Sequence, residues 1–222
     1  MRHALRTAVL AATLATGALS AQAQSLQITE WAYAAGSGEF IELTNMGLQA
    51  LDLTGWSFDD DSRNAGTVSL SSLGTLAVGE SVIITEASAA DFRAAWGLSA
   101  SVKVLGNNTT NLGRNDEINL FDASATLVDR LSYGDQSYAG TVRTQNVSGN
   151  PVSLAALGPY QVAAGNWVLA SVGDAYGSYA SSFGDVGNPG RFIYAPVPEP
   201  ETYALMLAGL GMLAAARRVR CG

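Results

Sequence analysis

The densest group of oxygen ligands in the chain is Asp59-Asp60-Asp61, followed by Ser62 and Asn64. Carboxylates gathered on a loop suit Ca²⁺, which takes roughly six to eight oxygen donors. The order of an EF-hand is absent, because Arg63 stands where a ligand belongs and Gly66 is misplaced. The expectation is a solvated acidic loop with weak Ca²⁺ affinity at most, and no other cofactor. Glu39 and Glu42 lie three apart in an extended stretch, so their side chains point to opposite faces. Glycoside hydrolysis needs two facing carboxyls about 5–9 Å apart, which this pair cannot form unless another strand supplies a partner. Trp31, Trp56, Trp96 and Trp167, with eight tyrosines, offer faces for sugar stacking or for a core. Trp56 reads as core. Tyr176 and Tyr179, in the Gly/Ser-rich stretch 174–182, read as the exposed sugar-contact patch.

Positioning these groups falls to short strands. Residues 25–33 (SLQITEWAY) put Leu26, Ile28, Glu30 and Ala32 on one parity, with Trp31 and Tyr33 opposite. Ala35-Gly36-Ser37-Gly38 turns the chain into 39–45 (EFIELTN), completing a hairpin. Residues 51–59 (LDLTGWSFD) form a third strand region, bent or bulged at Gly55, with 66–70 as its partner. Residues 81–85 (SVIIT) read as a core strand. A helix follows at 88–96, capped by Ser88, with Asp91 three residues on, Phe92 and Trp96 at i, i+4, and Gly97 as the stop. Residues 102–105 are a strand, and 117–122 with 127–133 form a second hairpin. Beyond Gly134 the pattern fades; 166–171 is the clearest remaining strand, and 184–190 (GDVGNPG) is a turn cluster. Many short strands, frequent turns and one short helix predict an all-β sandwich.

The opening strand with Ile28 and Glu30, the run Glu39-Phe40-Ile41-Glu42-Leu43-Thr44-Asn45 and Leu53-Thr54-Gly55-Trp56 resemble the start of a lamin tail domain. Leu76-Ala77-Val78-Gly79-Glu80, residues 116–122 and 127–133, and Gly187-Asn188-Pro189-Gly190 extend the likeness over about 26–193. Asn188 departs from the Thr or Ser usual before that proline, and 136–165 carries no familiar signature. The resemblance implies an immunoglobulin-like antiparallel β-sandwich and an adhesion or interaction module. It carries over no catalytic residues.

The two ends of the chain read differently from the body. Arg2 and Arg6, the apolar stretch 7–19 and Ala21-Gln22-Ala23 follow the order of a secretory signal peptide, cleaved after Ala23. The secretion translocon and signal peptidase are its expected partners. Near the other end stand Pro198-Glu199-Pro200, an uncharged run over 203–216, and Arg217, Arg218 and Arg220. Helical, that run spans roughly 21 Å against the ~30 Å hydrocarbon core, a marginal transmembrane helix with its arginines on the cytoplasmic side. The ordered set 197–220 resembles the PEP-CTERM sorting signal of Gram-negative bacteria. That likeness implies recognition of Glu199 and its flanking prolines by an exosortase-type membrane protease, and removal of the tail. It implies export across the inner membrane, transient anchoring, then release to the cell surface or an exopolysaccharide-rich matrix.

Trimming both ends leaves one body domain, 24–194, a linker over 195–200, and a severe limit on chemistry. His3 and Cys221, the sole histidine and cysteine, are lost. Without them no Ser-His-Asp triad, thiol nucleophile or ordinary zinc site can form. Of the twelve Lys and Arg, seven remain between 24 and 200, against eighteen of the nineteen Asp and Glu, a net charge of −11. Such a body repels nucleic acids and anionic membranes. The function expected is a non-enzymatic, structural or adhesive component of the surface or matrix, touching exopolysaccharide or other surface proteins. The alternative is a carbohydrate-binding module for exopolysaccharide.

Overall fold

Strand runs rich in Ile, Leu, Val and Thr, punctuated by glycine turns, assemble into two facing sheets in the computed structural model, which describes residues 26–193. The expected signal peptide with Ala21 and Ala23 lies outside the described residues, as do Pro198, Glu199, Pro200, the helix over 203–216 and Arg217, Arg218 and Arg220. Leu26–Ala32 (β1) and Phe40–Asn45 (β2) form the first antiparallel hairpin. Leu51–Asp52 (β3) and Ser57–Asp59 (β4) replace the single third strand expected over 51–59. The break has a local cause: Trp56 N donates to Leu53 O, and Gly55 takes φ +80°, so the bend is a full turn. Val68–Ser69 (β5) pairs with β4, and Thr75–Leu76 (β6) with β3.

Ser81–Thr85 (β7) runs beside β2. Ala89–Trp96 (α1) follows, with Ser88 accepting from Asp91 N and Gly97 closing the end in the left-handed region at φ +62°. Lys103–Leu105 (β8) returns parallel to β7. Asp116–Phe121 (β9) and Leu127–Tyr133 (β10) form the second hairpin. The stretch without signature, 136–165, holds the short Gly149–Pro151 (β11) and Gln161–Val162 (β12), and the strand expected over 166–171 is present as Trp167–Leu169 (β13). Tyr179–Ala180 (β14) and Val186–Gly187 (β15) close the described chain. One sheet has the order β13-β11-β1-β2-β7-β8, the other β12-β10-β9-β4-β5. The protein is a mostly β, immunoglobulin-like sandwich with one short helix.

Between the sheets lie Leu26, Ile28, Trp31, Ile41, Leu43, Val82 and Ile84 from one side and Phe58, Ile118, Leu120, Leu131 and Tyr133 from the other, all buried. Each such side chain contributes roughly 1.5–3 kcal/mol on burial. Trp31 is the centre of this core, its ring 5.3 Å from Tyr133 and 4.9 Å from Trp167. Its place corrects the simple alternation expected for β1. A register shift between Ile28 and Glu30 is a β-bulge, which moves Trp31 onto the face of Leu26 and Ile28. Glu30 and Ala32 turn to the other face instead. The bulge is held from the opposite sheet, where buried Asp129 of β10 accepts from Ile28 N at 2.9 Å. That second face is covered too: Ala32, Phe40 and Ile83 pack under Phe92, Ala95 and Trp96 of α1.

Candidate functional site

The bulge creates the most unusual chemistry in the molecule. It sets Glu30 of β1 opposite Glu42 of β2, both fully buried on the face that α1 half covers. Here is the facing carboxyl from another strand that Glu42 needed. What covers the pair is the segment 176–192, lying over the sheet as a strap. Asn188 N donates to Glu30 Oε1 at 2.8 Å, and Gly190 N to Glu42 Oε2 at 2.7 Å. Ser148 Oγ donates to the same Glu30 oxygen, and Thr29 Oγ1 to Glu42 Oε1 at 2.8 Å. Phe192 N donates to Ser81 Oγ at 3.2 Å, beside Thr44 and Glu42. Pro189 and Gly190, the latter at φ +90°, form the turn that aims both backbone donors at the carboxyls. Gly187 passes so close that a Cβ there would stand 2.8 Å from Glu30 Oε1 and 2.9 Å from Ser148 Oγ. A third carboxyl fixes the strap's middle: Asp185 accepts from Gly36 N at 2.9 Å and Ser37 N at 2.8 Å, in the β1–β2 turn.

Burial, with the neighbouring Glu42 charge next, pushes the Glu30 carboxyl well above its usual range. Glu42 is raised as well, chiefly by burial, against the lowering bonds from Thr29 and Gly190. Burial and mutual repulsion both favour the neutral form of a carboxyl in this pair. Glu30 Oε2 has no hydrogen-bond partner, which suits the neutral acid. Glu39 behaves likewise for a different purpose. It is buried, raised from 4.5 to about 8 by desolvation, and accepts from Leu112 N at 3.1 and 2.9 Å. Asp129, under the bulge, is raised by burial to about 7. These four carboxyls would interest an enzymologist by their protonation alone. Their partners are backbone N–H groups and hydroxyls of the protein itself.

The Asp59–Asp61 loop does not assemble as a calcium site. Asp59 is buried, and its Oδ2 accepts from Ser62 Oγ at 2.7 Å and from Asn64 N. Asp60 Oδ1 accepts from Ser62 N at 3.0 Å, and Asp61 faces solvent. The carboxylates diverge because each closes a turn or faces water. Among the described residues no group of three His, Cys, Asp or Glu side chains is placed to hold a metal ion. Arg63, the residue that breaks the EF-hand order, reaches across to Glu117 with two hydrogen bonds of 2.7 Å. Glu117 is held below its usual range by that guanidinium, which explains why the loop carries an arginine there.

The tyrosine patch also needs correction. Tyr176 and Tyr179 are both half-buried. The Tyr179 ring meets Trp96 edge-on at 5.6 Å, and its hydroxyl donates to Trp96 O at 2.9 Å. It holds the strap against α1. The two tyrosines do line one shallow depression, with Leu98, Val102, Pro189 and Ile193. The latch carboxyls Glu30 and Glu42 were visible in the sequence as members of apolar strands. Their pairing was hidden by the bulge, and the Gly187-Asn188-Pro189-Gly190 run gave no sign of which residues it binds.

A family model described as Lamin Tail Domain matches residues 20–135, from before β1 to just past β10. A second, described as PEP-CTERM protein-sorting motif, matches residues 196–220. No curated protein matches the chain. The first match contains Glu30 and Glu42; the strap that they hold lies beyond it.

Proposed function

The chain belongs to the lamin tail domain family and carries a PEP-CTERM motif, the mark of an exported protein sorted by an exosortase, and from this we propose that its body is a non-enzymatic interaction module of the cell surface or extracellular matrix. The observation that carries this reading is the use of the unusual carboxyls. Glu30, Glu42, Glu39 and Asp129 are buried and bound to backbone N–H groups of the fold. A general acid must reach the substrate atom it protonates, and these are covered by the strap, by the loop that carries Leu112 or by the facing sheet. In this reading the exosortase removes the tail after Pro198-Glu199-Pro200 has been recognised, and the acidic sandwich stays outside the cell.

The test compares protein recovered from the medium with protein from membranes. The external form is expected to lack Arg217, Arg218 and Arg220 by mass, and to be retained on producing cells without shortening their exopolysaccharide. Depolymerisation by the pure protein, lost in a Glu30→Gln, Glu42→Gln double variant, would overturn the non-enzymatic reading. The carbohydrate-binding alternative is favoured by one observation, the depression shared by Tyr176 and Tyr179. Since Tyr179 is tied to Trp96, only Tyr176 is free to be removed without disturbing the fold. Retention on purified exopolysaccharide that falls on Tyr176→Ala would support that alternative, and unchanged retention would remove the depression from consideration.

A further inference from the structure

We propose that the rim formed by β13 is a self-association surface, on which two copies of this chain join edge to edge along Trp167–Leu169. The proposal rests on the interaction-module reading and names the partner: a second copy. β13 is the last strand of the six-stranded sheet, with β11 on one side and, among the described residues, no strand on the other. Exposed edges are ordinarily guarded by charge, proline or bulges. The opposite edge of the same sheet is guarded in this way: β8 carries Lys103, ion-paired with Glu80 at 3.0 Å. β13 (Trp167-Val168-Leu169) carries neither charge nor proline. Residues 144–173 contain no Asp, Glu, Lys, Arg or His, in a body with a net charge of −11.

The exposed apolar side chains gather in the same place. Among the described residues, six of the ten large exposed hydrophobics fall between 154 and 172. Val168 is 37 % exposed, Leu169 43 % and Val172 67 %. Val168 and Leu169 are consecutive in a strand and point to opposite faces, so the edge exposes an apolar side chain on each, beside Trp167, which is buried against Trp31. Val162 of β12, the edge of the facing sheet, lies at the same rim, joined to β13 by a four-residue turn in which Asn166 Nδ2 donates to Gln161 Oε1 at 3.3 Å.

The chemistry of the rim favours a copy over a sugar. Elsewhere an acidic surface repels its like, and charges within a Debye length of about 8 Å dominate that repulsion. A stretch of thirty uncharged residues is where two such bodies can approach most closely. Aliphatic side chains gain by burial against each other, while a sugar needs an open ring face. Tyr160, the rim's exposed aromatic, has the Arg130 guanidinium 5.7 Å from its ring centroid. Two identical edges match in length, and antiparallel pairing about a twofold axis gives each copy the same contacts. Six side chains fall well short of the roughly 20–30 residues a side of a stable interface, so the association expected is weak, strengthened when many copies share a surface.

Sedimentation equilibrium of the secreted, processed protein tests this, from low micromolar to several hundred micromolar. A concentration-dependent dimer is expected, tightening as salt screens the acidic bodies. Val168→Lys and Leu169→Lys should each weaken it by about tenfold or more with the thermal midpoint unchanged. Leu48→Lys, at an exposed apolar position outside the rim, should leave it intact. A monomer throughout, or a dimer indifferent to both lysines, would overturn the proposal. A monomer still retained on producing cells would end self-association while sparing the interaction-module reading. A dimer with no affinity for cells or matrix would do the reverse. If the lysines abolish binding to exopolysaccharide and the protein is always monomeric, the rim is a glycan site and the proposal is wrong.

Discussion

Glu30 shows how a single carboxyl can be indispensable as an acceptor and costly as a charge. Its Oε1 receives Asn188 N and Ser148 Oγ, while Oε2 receives nothing. Glutamine at this position keeps the acceptor, places an amide donor beside Glu42 and cannot ionise as the pH rises. Glu30→Gln is therefore expected to stabilise the protein at pH 8 by about 1–3 kcal/mol, measured by urea unfolding. Glu30→Ala removes the acceptor as well and leaves buried donors unmatched, so a loss of about 2–4 kcal/mol is expected. If glutamine were as damaging as alanine, Glu30 would act as an ionised group, and its description as a neutral acid would fail. Asp129 presents the same choice at the bulge. Asp129→Asn retains an acceptor for Ile28 N, whereas Asp129→Ala frees the bulge and should cost about 1–3 kcal/mol.

At the scale of elements, the strap is the piece whose attachment is most specific. Gly187→Ala puts a methyl group against Glu30 Oε1 and Ser148 Oγ, both fixed by their own bonds. Accelerated hydrogen exchange across 176–192 is the expected outcome, with β9 and β10 remaining protected; uniform exchange across both sheets would show that strap and sandwich open together. The elements that could be read from sequence were those specified locally. Ser88, Asp91 and Gly97 announce α1 because caps act within one turn, and the two hairpins follow from alternation broken by short turns. The β1 bulge was illegible because its cause is Asp129, about a hundred residues away in the other sheet. The division of 51–59 was half legible: Gly55 announced a bend, and the separate partners β6 and β5 made it two strands. Residues 136–165 gave no pattern because β11 and β12 are two or three residues long, too short for periodicity to register. At the aspartate loop, composition records carboxylates and is silent on where they point.

The whole molecule inherits a pH dependence from its buried carboxyls, and the sign runs opposite to ordinary acid denaturation. Glu39 is raised to about 8 and Asp129 to about 7, and the Glu30–Glu42 pair is raised with them. In the unfolded chain these groups ionise near their ordinary values, so above about pH 4.5 the folded state holds more protons than the unfolded one. Their contribution is present in full below that pH and is lost as pH rises through 7 to 8. Glu117, held low by Arg63, and Asp174, held low by the N–H groups of Ser171, Tyr176 and Ser178, work the other way. Their contribution is present at neutral pH and fades below about pH 4.5. Between the two limits lies a maximum near pH 5, and general repulsion in a body at −11 deepens the fall on the alkaline side. Thermal melts of the processed protein from pH 4 to 9 should peak near pH 5 and drop by roughly 5–10 °C by pH 8. Glu30→Gln and Asp129→Asn should flatten the alkaline limb, because each removes a proton that the folded state alone retains. A midpoint that climbed from pH 5 to 8 would mean that these carboxyls fold as anions, and the latch would then need a cation within the site to hold it.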